Sequence, residues 1–127
     1  MPRTLTVLPG TYAMCRLSPD DAVPAWALAP ADFVSVTRSR SELSIICPAG
    51  IIPVDMPSQG GWHCLRIDGQ SGLDEPGVLV SAAAPLSETG LSVFAVASYD
   101  TDHLLVRDLD RAIAALRAAG HHVNPAP

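Results

Sequence analysis

Residues 90–107 constrain the fold more than any other stretch, reading Gly-Leu-Ser-Val-Phe-Ala-Val-Ala-Ser-Tyr-Asp-Thr-Asp-His-Leu-Leu-Val-Arg. An apolar run over residues 91–97 meets the polar segment 98–102, and a second apolar run over residues 104–106 follows at once. Two β-forming runs around a short polar turn read as a hairpin. Its tip carries Asp100 and Asp102 one residue apart. Asp and Ser suit a turn for backbone reasons alone, because their side chains bond nearby N–H groups. The same pair equally presents two carboxylates to a ligand, so the flanking chain has to separate the two readings.

The flanks supply an order of elements. Residues 62–67 read as a strand and residues 68–72 as a Gly-rich loop. Asp74, Glu75 and Pro76 then head a helix over residues 77–89, suiting both the N-terminal dipole and the missing proline N–H. Gly90 is its stop. Pro85 lies inside this helix, where its ring crowds the Ser81 carbonyl and leaves that group without its helical partner, so a kink or break is expected. A second helix covers residues 108–119, with Leu109, Ile113 and Leu116 on one face, Asp108 and Asp110 at its head, Arg117 near its tail and Gly120 as its stop. The order is β-α-β-β-α. A last strand at His122 and Val123, or one borrowed from elsewhere, completes a ferredoxin-like βαββαβ unit.

The first half repeats the theme in reduced form. Residues 4–8 and 11–17 are β-type runs broken by Pro9 and Gly10, and residues 24–28 form one helical turn. Residues 33–38 and 43–47 read as a hairpin around a turn at residues 40–42. Residues 48–61, with three prolines and three glycines, are the boundary, and residues 51–54 within them suit a short edge segment. Two domains are therefore expected, 1–60 and 61–127, each of α+β class.

Composition limits the function. Apolar residues make up 48% and charged residues 17%, which describes a globular chain. The net charge of −5 argues against nucleic acid and against an anionic membrane surface. No apolar stretch approaches the roughly 20 residues that span a bilayer. Met1, Pro2 and Arg3 lead into a strand-like run and not a signal peptide, so a cytoplasmic location is expected. Cys15, Cys47 and Cys64 lack ligand spacing and read as buried thiols. His63 and Cys64 are strand neighbours on opposite faces, so they cannot form a nucleophile–base pair. No metal or cofactor site is expected.

Several blocks resemble the ACT-domain family: Pro76-Gly77-Val78-Leu79-Val80-Ser81, Pro85-Leu86, and Gly90-Leu91-Ser92-Val93-Phe94. The block Ser98-Tyr99-Asp100-Thr101-Asp102, followed by Leu104-Leu105-Val106, is similar to small bacterial tandem ACT-domain proteins. Leu5-Thr6-Val7-Leu8-Pro9-Gly10 and Trp26-Ala27-Leu28 fit the same branch, which looks related to the ACT repeats of animal amino-acid sensors and, more distantly, of aspartate kinases. The resemblance implies two ACT-like halves with sheets packed side by side. It also implies regulation by a small ligand, usually an amino acid held at a domain–domain interface beside the loop between first strand and first helix.

Carried over, that loop is residues 69–77, with the backbone of Gly77, Val78 and Leu79 at the helix start. Ser98, Tyr99, Asp100, Thr101 and Asp102 supply the opposing wall. Elementary chemistry agrees: a helix N-terminus offers N–H groups to a carboxylate, glycine allows close approach, and an Asp can hold an ammonium. Asp74 and Glu75 are the departure, since two acids there oppose an incoming carboxylate unless they point elsewhere.

Two readings follow: a sensor module binding an amino acid, and an interaction module that kept the fold without the ligand. A homodimer is expected in either case. Catalysis is not indicated. The Asp100 and Asp102 pair lacks further metal ligands or a phosphate loop, and Ser98, His103 and Asp102 lack a nucleophile-elbow context. The chain has no lysine, so lysine chemistry is excluded.

Overall fold

The structure, a computed structural model, describes residues 2–70 and 75–126. Its strands are β1 (Thr4–Val7), β2 (Tyr12–Leu17), β3 (Ser35–Arg38), β4 (Leu43–Pro48), β5 (Gln59–Asp68), β6 (Phe94–Ala97), β7 (Asp102–Val106) and β8 (His122–Asn124). Its helices are α1 (Val78–Glu88) and α2 (Leu109–Ala118). The chain is α+β and forms two compact units, Met1–Pro9 with His63–Pro127, and Gly10–Trp62. Sequence order divides the chain near residue 60, whereas β1 goes with the C-terminal elements.

In the discontinuous unit the strand order is β6-β7-β5-β1-β8. Neighbours are antiparallel except β1 and β8, which run parallel. The elements β5-α1-β6-β7-α2-β8 make the ferredoxin-like succession. Both ways of completing it are realised together: β8 forms at the predicted place, and the borrowed β1 lies between it and β5. Alternation in β1 puts Leu5 and Val7 on the face that also carries Leu65, Ile67, Leu104, Val106 and Val123. Against them pack Val78, Ala82 and Leu86 of α1 and Ala112 and Leu116 of α2, each set at i, i+4 spacing.

The hairpin forms as expected with shifted ends: Asp102 is the first residue of β7, and residues 91–93 precede β6 as irregular chain.

The expectation of a break at Pro85 is corrected, because α1 runs continuously from Val78 to Glu88. The Ser81 carbonyl, which Pro85 leaves without its helical donor, lies 2.7 Å from His121 Nε2. His121 Nδ1 accepts the Arg3 N–H at 2.9 Å, so Nε2 is the ring's donor. One buried imidazole thus replaces the missing helical hydrogen bond and pins the start of β1. α2 starts beside Asp108 as expected, and Asp108, read from sequence as a dipole partner, is also its cap, accepting the Arg111 N–H at 3.2 Å, while Arg117 reaches the Val123 carbonyl.

The second unit orders its strands β3-β4-β2-β5, all antiparallel, with residues 59–62 supplying its share of β5. Cys15, Ala27, Ile45 and Cys47 form its core, with Trp26, Ile51 and Met56 packed on them. The helical turn expected at residues 24–28 is a 3-10 turn over Ala25–Leu28. Two expectations are corrected. Residues 51–54 are not a strand: Ala49–Ile51 is a 3-10 turn, and Pro53 opens a further turn closed by the Met56 N–H. The expected boundary also gives up residues 59–61 to β5, where Gly61, at φ 80°, lies in the register shift between the pairs Tyr12–Trp62 and Met14–Gln59 and takes a backbone conformation that a side chain disfavours.

The three thiols are free and buried. Burial pushes Cys64 up to about 12 and, helped by neighbouring Cys15, Cys47 up to about 11. Neither is a nucleophile at neutral pH.

Buried His103 on β7 is held below its ordinary value of 6.5, first by burial and then by the Arg66 charge, with Asp102 and Asp68 partly offsetting. The unfolded chain therefore takes up this proton before the folded one does. Stability from the neutral ring is complete above 6.5 and is lost as pH falls through the lowered folded value. Urea midpoints should decline over that window in the parent chain and decline less in His103→Gln. Parallel curves would show that His103 carries none of the dependence.

Candidate functional site

α1 begins at Gly77, whose backbone sits at φ 76°, a left-handed conformation that a side chain disfavours. With no side chain, Gly77 offers no cap to the first N–H groups of the helix. α2 differs, since Asp108 already occupies that place with its own carboxylate. A depression of about 540 Å³ beside α2 holds Asp108 and Asp110 with His63 and Arg107, so its anion-attracting end is already filled.

Facing α1 is the hairpin tip. Ser98 closes the turn, its N–H and hydroxyl both donating to the Thr101 carbonyl at 3.0 and 2.7 Å. Tyr99 and Asp100 are thereby held at the apex, where both are exposed. Asp102 is half-buried and gripped by Gln70, whose Nε2 donates to its carboxylate at 3.0 Å and whose Oε1 accepts its backbone N–H. Gln70 is neutral, so the Asp102 charge is fixed in direction and not cancelled.

Between the two walls lies a cleft of about 270 Å³. That is slightly below the range of drug-sized pockets and suits a ligand of a few heavy atoms. Of the residues singled out from sequence, the structure brings Gly77, Val78, Leu79, Ser98, Tyr99, Asp100 and Asp102 to its lining. Val78 is buried in the core, so it offers the cleft its backbone. Thr101 does not line it and acts through its carbonyl in the turn.

Sequence reasoning missed Gln70, Val80 and Ala97, which also line the cleft. Gln70 falls within the loop named from sequence; its signal was a polar residue just beyond the end of β5. Of the two acids that seemed to oppose a carboxylate, Glu75 is paired with Arg3 at 2.6 Å. Asp74, like residues 71–73 of the same loop, lies outside the described residues. Among the described residues, no cation pairs with Asp100 or Asp102, and no three His, Cys, Asp or Glu side chains converge as metal ligands. No helix among them is long and apolar enough to cross a membrane.

Residues 58–118 match the ACT domain family, and residues 10–55 match a family described as an N-terminal domain. No curated protein matches the sequence. Among solved structures, a protein from Agrobacterium tumefaciens is 41% identical, covering 98% of this chain and 94% of its own, with a TM-score of 0.91. A Vibrio cholerae protein of unknown function is 22% identical over 93% of this chain and 87% of its own, with a TM-score of 0.71. The ligand-free regulatory subunit of aspartate kinase from Thermus thermophilus shares the fold at 14% identity, covering 89% of this chain and 94% of its own, with a TM-score of 0.60. With an ACT domain over residues 58–118 and an Agrobacterium relative matching nearly end to end, this chain is a small tandem ACT-type protein and belongs to the ACT-domain family.

Proposed function

We propose that the chain is a non-catalytic, cytoplasmic regulatory module that binds an amino acid in the cleft between α1 and the β6–β7 hairpin. One observation carries the reading: the N-terminus of α1, where Gly77 supplies no side-chain cap, faces two carboxylates that no described cation neutralises. The N–H groups at Gly77, Val78 and Leu79 receive the ligand's carboxylate. Asp100 and Asp102 receive its ammonium through charge-assisted hydrogen bonds. Tyr99 supplies an apolar lip, while Ser98 and Thr101 hold the turn in shape. The regulatory role of the aspartate kinase subunit with this fold supports the assignment.

The exposed rim supports a homodimer in which a second copy covers the cleft. Val80 is 66% exposed and Tyr99 74%, an unusual pair of large apolar side chains beside a polar cleft.

The test is a thermal-shift screen against the twenty amino acids, with light scattering on the same sample. A ligand at a hundred times its Kd adds about 2.7 kcal/mol. One amino acid should raise the midpoint, Asp100→Ala should abolish the rise, and the mass should be that of a dimer. No shift at millimolar concentrations would overturn ligand binding in favour of an interaction module, and a monomeric mass would overturn the dimer.

A further inference from the structure

We infer that Arg3 sets the charge at the α1 side of the cleft and so decides whether that wall accepts a carboxylate. The inference rests on the reading of the cleft as an amino-acid site and names a determinant of its specificity.

Glu75 lines the cleft two residues ahead of Gly77. An unpaired carboxylate there would face the same helix N–H groups that a ligand carboxylate needs, and would repel it besides. Arg3 Nη2 meets Glu75 Oε2 at 2.6 Å, with the two side chains only 13% and 24% exposed. Their charges therefore cancel where water screens poorly. Across the cleft no such cancellation occurs, because Asp102 is held by neutral Gln70 and Asp100 pairs with no described cation. The walls end up unlike: uncharged with helix N–H groups on one side, anionic on the other. That polarity fits a zwitterion whose carboxylate and ammonium lie a short distance apart.

The side chain's role separates cleanly from the backbone's. The Arg3 N–H goes to His121 Nδ1 and its carbonyl accepts the His122 N–H at 2.8 Å. Both bonds survive any change of side chain, so β1 stays anchored.

The experiment is calorimetric titration with each of the twenty L-amino acids on the parent chain. The one that binds is then titrated into Arg3→Gln, Arg3→Lys and the double variant Arg3→Gln/Glu75→Gln, with thermal midpoints confirming that each folds. Arg3→Gln should bind at least about tenfold more weakly, and Arg3→Lys, which keeps the charge, within about threefold of the parent. The double variant should recover to within about threefold, because removing Glu75 removes the repulsion. Unchanged binding in Arg3→Gln, a lysine variant as weak as the glutamine one, or a double variant no better than Arg3→Gln would each overturn the inference. Failure of the parent to bind any amino acid would overturn the site itself and the inference with it, a result seen before any variant is titrated.

Discussion

Replacing His121 by Ala should lower stability by about 3 kcal/mol, or about 10 °C in Tm for a chain of this length. The ring is only 6% exposed and satisfies two backbone groups at once. One is the Arg3 N–H; the other is the Ser81 carbonyl, which Pro85 has deprived of its helical donor. Each buried group left unpaired costs about 1–3 kcal/mol. A second substitution checks the mechanism. Pro85→Ala restores an N–H that can reach Ser81, so in the His121→Ala background it should recover at least about 1 kcal/mol more than it does in the parent. Urea denaturation of the four proteins measures this directly. Strict additivity would mean that His121 stabilises the chain by some route other than the Ser81 carbonyl.

Leu104→Ala should cost a comparable amount, about 3 kcal/mol. Leu104 is fully buried at the middle of β7, opposite Leu65 on β5 and Ala95 on β6. It belongs to the cluster in which the sheet meets both helices, where a cavity has rigid walls and little freedom to collapse. Leu104→Met, which nearly conserves volume, should cost less than about 1.5 kcal/mol. The urea midpoint should fall in proportion at unchanged slope. A loss below about 1 kcal/mol in the alanine variant would mean that this face of the sheet is loosely packed.

How far the sequence could be read depended on sequence separation. The hairpin tip was legible because its logic is local: Ser98 closes on Thr101 three residues away. The helix ends at Gly90 and Gly120 were legible for the same reason, as was the start of α2 beside Asp108. The partner of the Ser81 carbonyl was not, since His121 lies 40 positions on and nothing near Pro85 announces it. Nor was the neutralisation of Glu75, because a charge near a helix start reads as a dipole partner until a distant Arg3 is seen beside it. β1 was recognised as a strand, but four alternating residues do not specify which edge they join.

That placement of β1 governs the order in which the chain can reach its final state. Thr4–Val7 is synthesised long before one of its two neighbours, His122–Asn124. Gly10–Trp62 is in effect a complete unit inserted between β1 and the rest of its sheet. Within that insert Tyr12 already pairs with Trp62, so its own folding draws its two ends together. Val7 and Leu65, which must meet next, then close a loop of a few residues in place of one of more than fifty. By loop-closure entropy the inserted unit therefore lowers the cost of joining β1 to β5, and the pairing of β1 with β8 remains as the contact of long sequence separation.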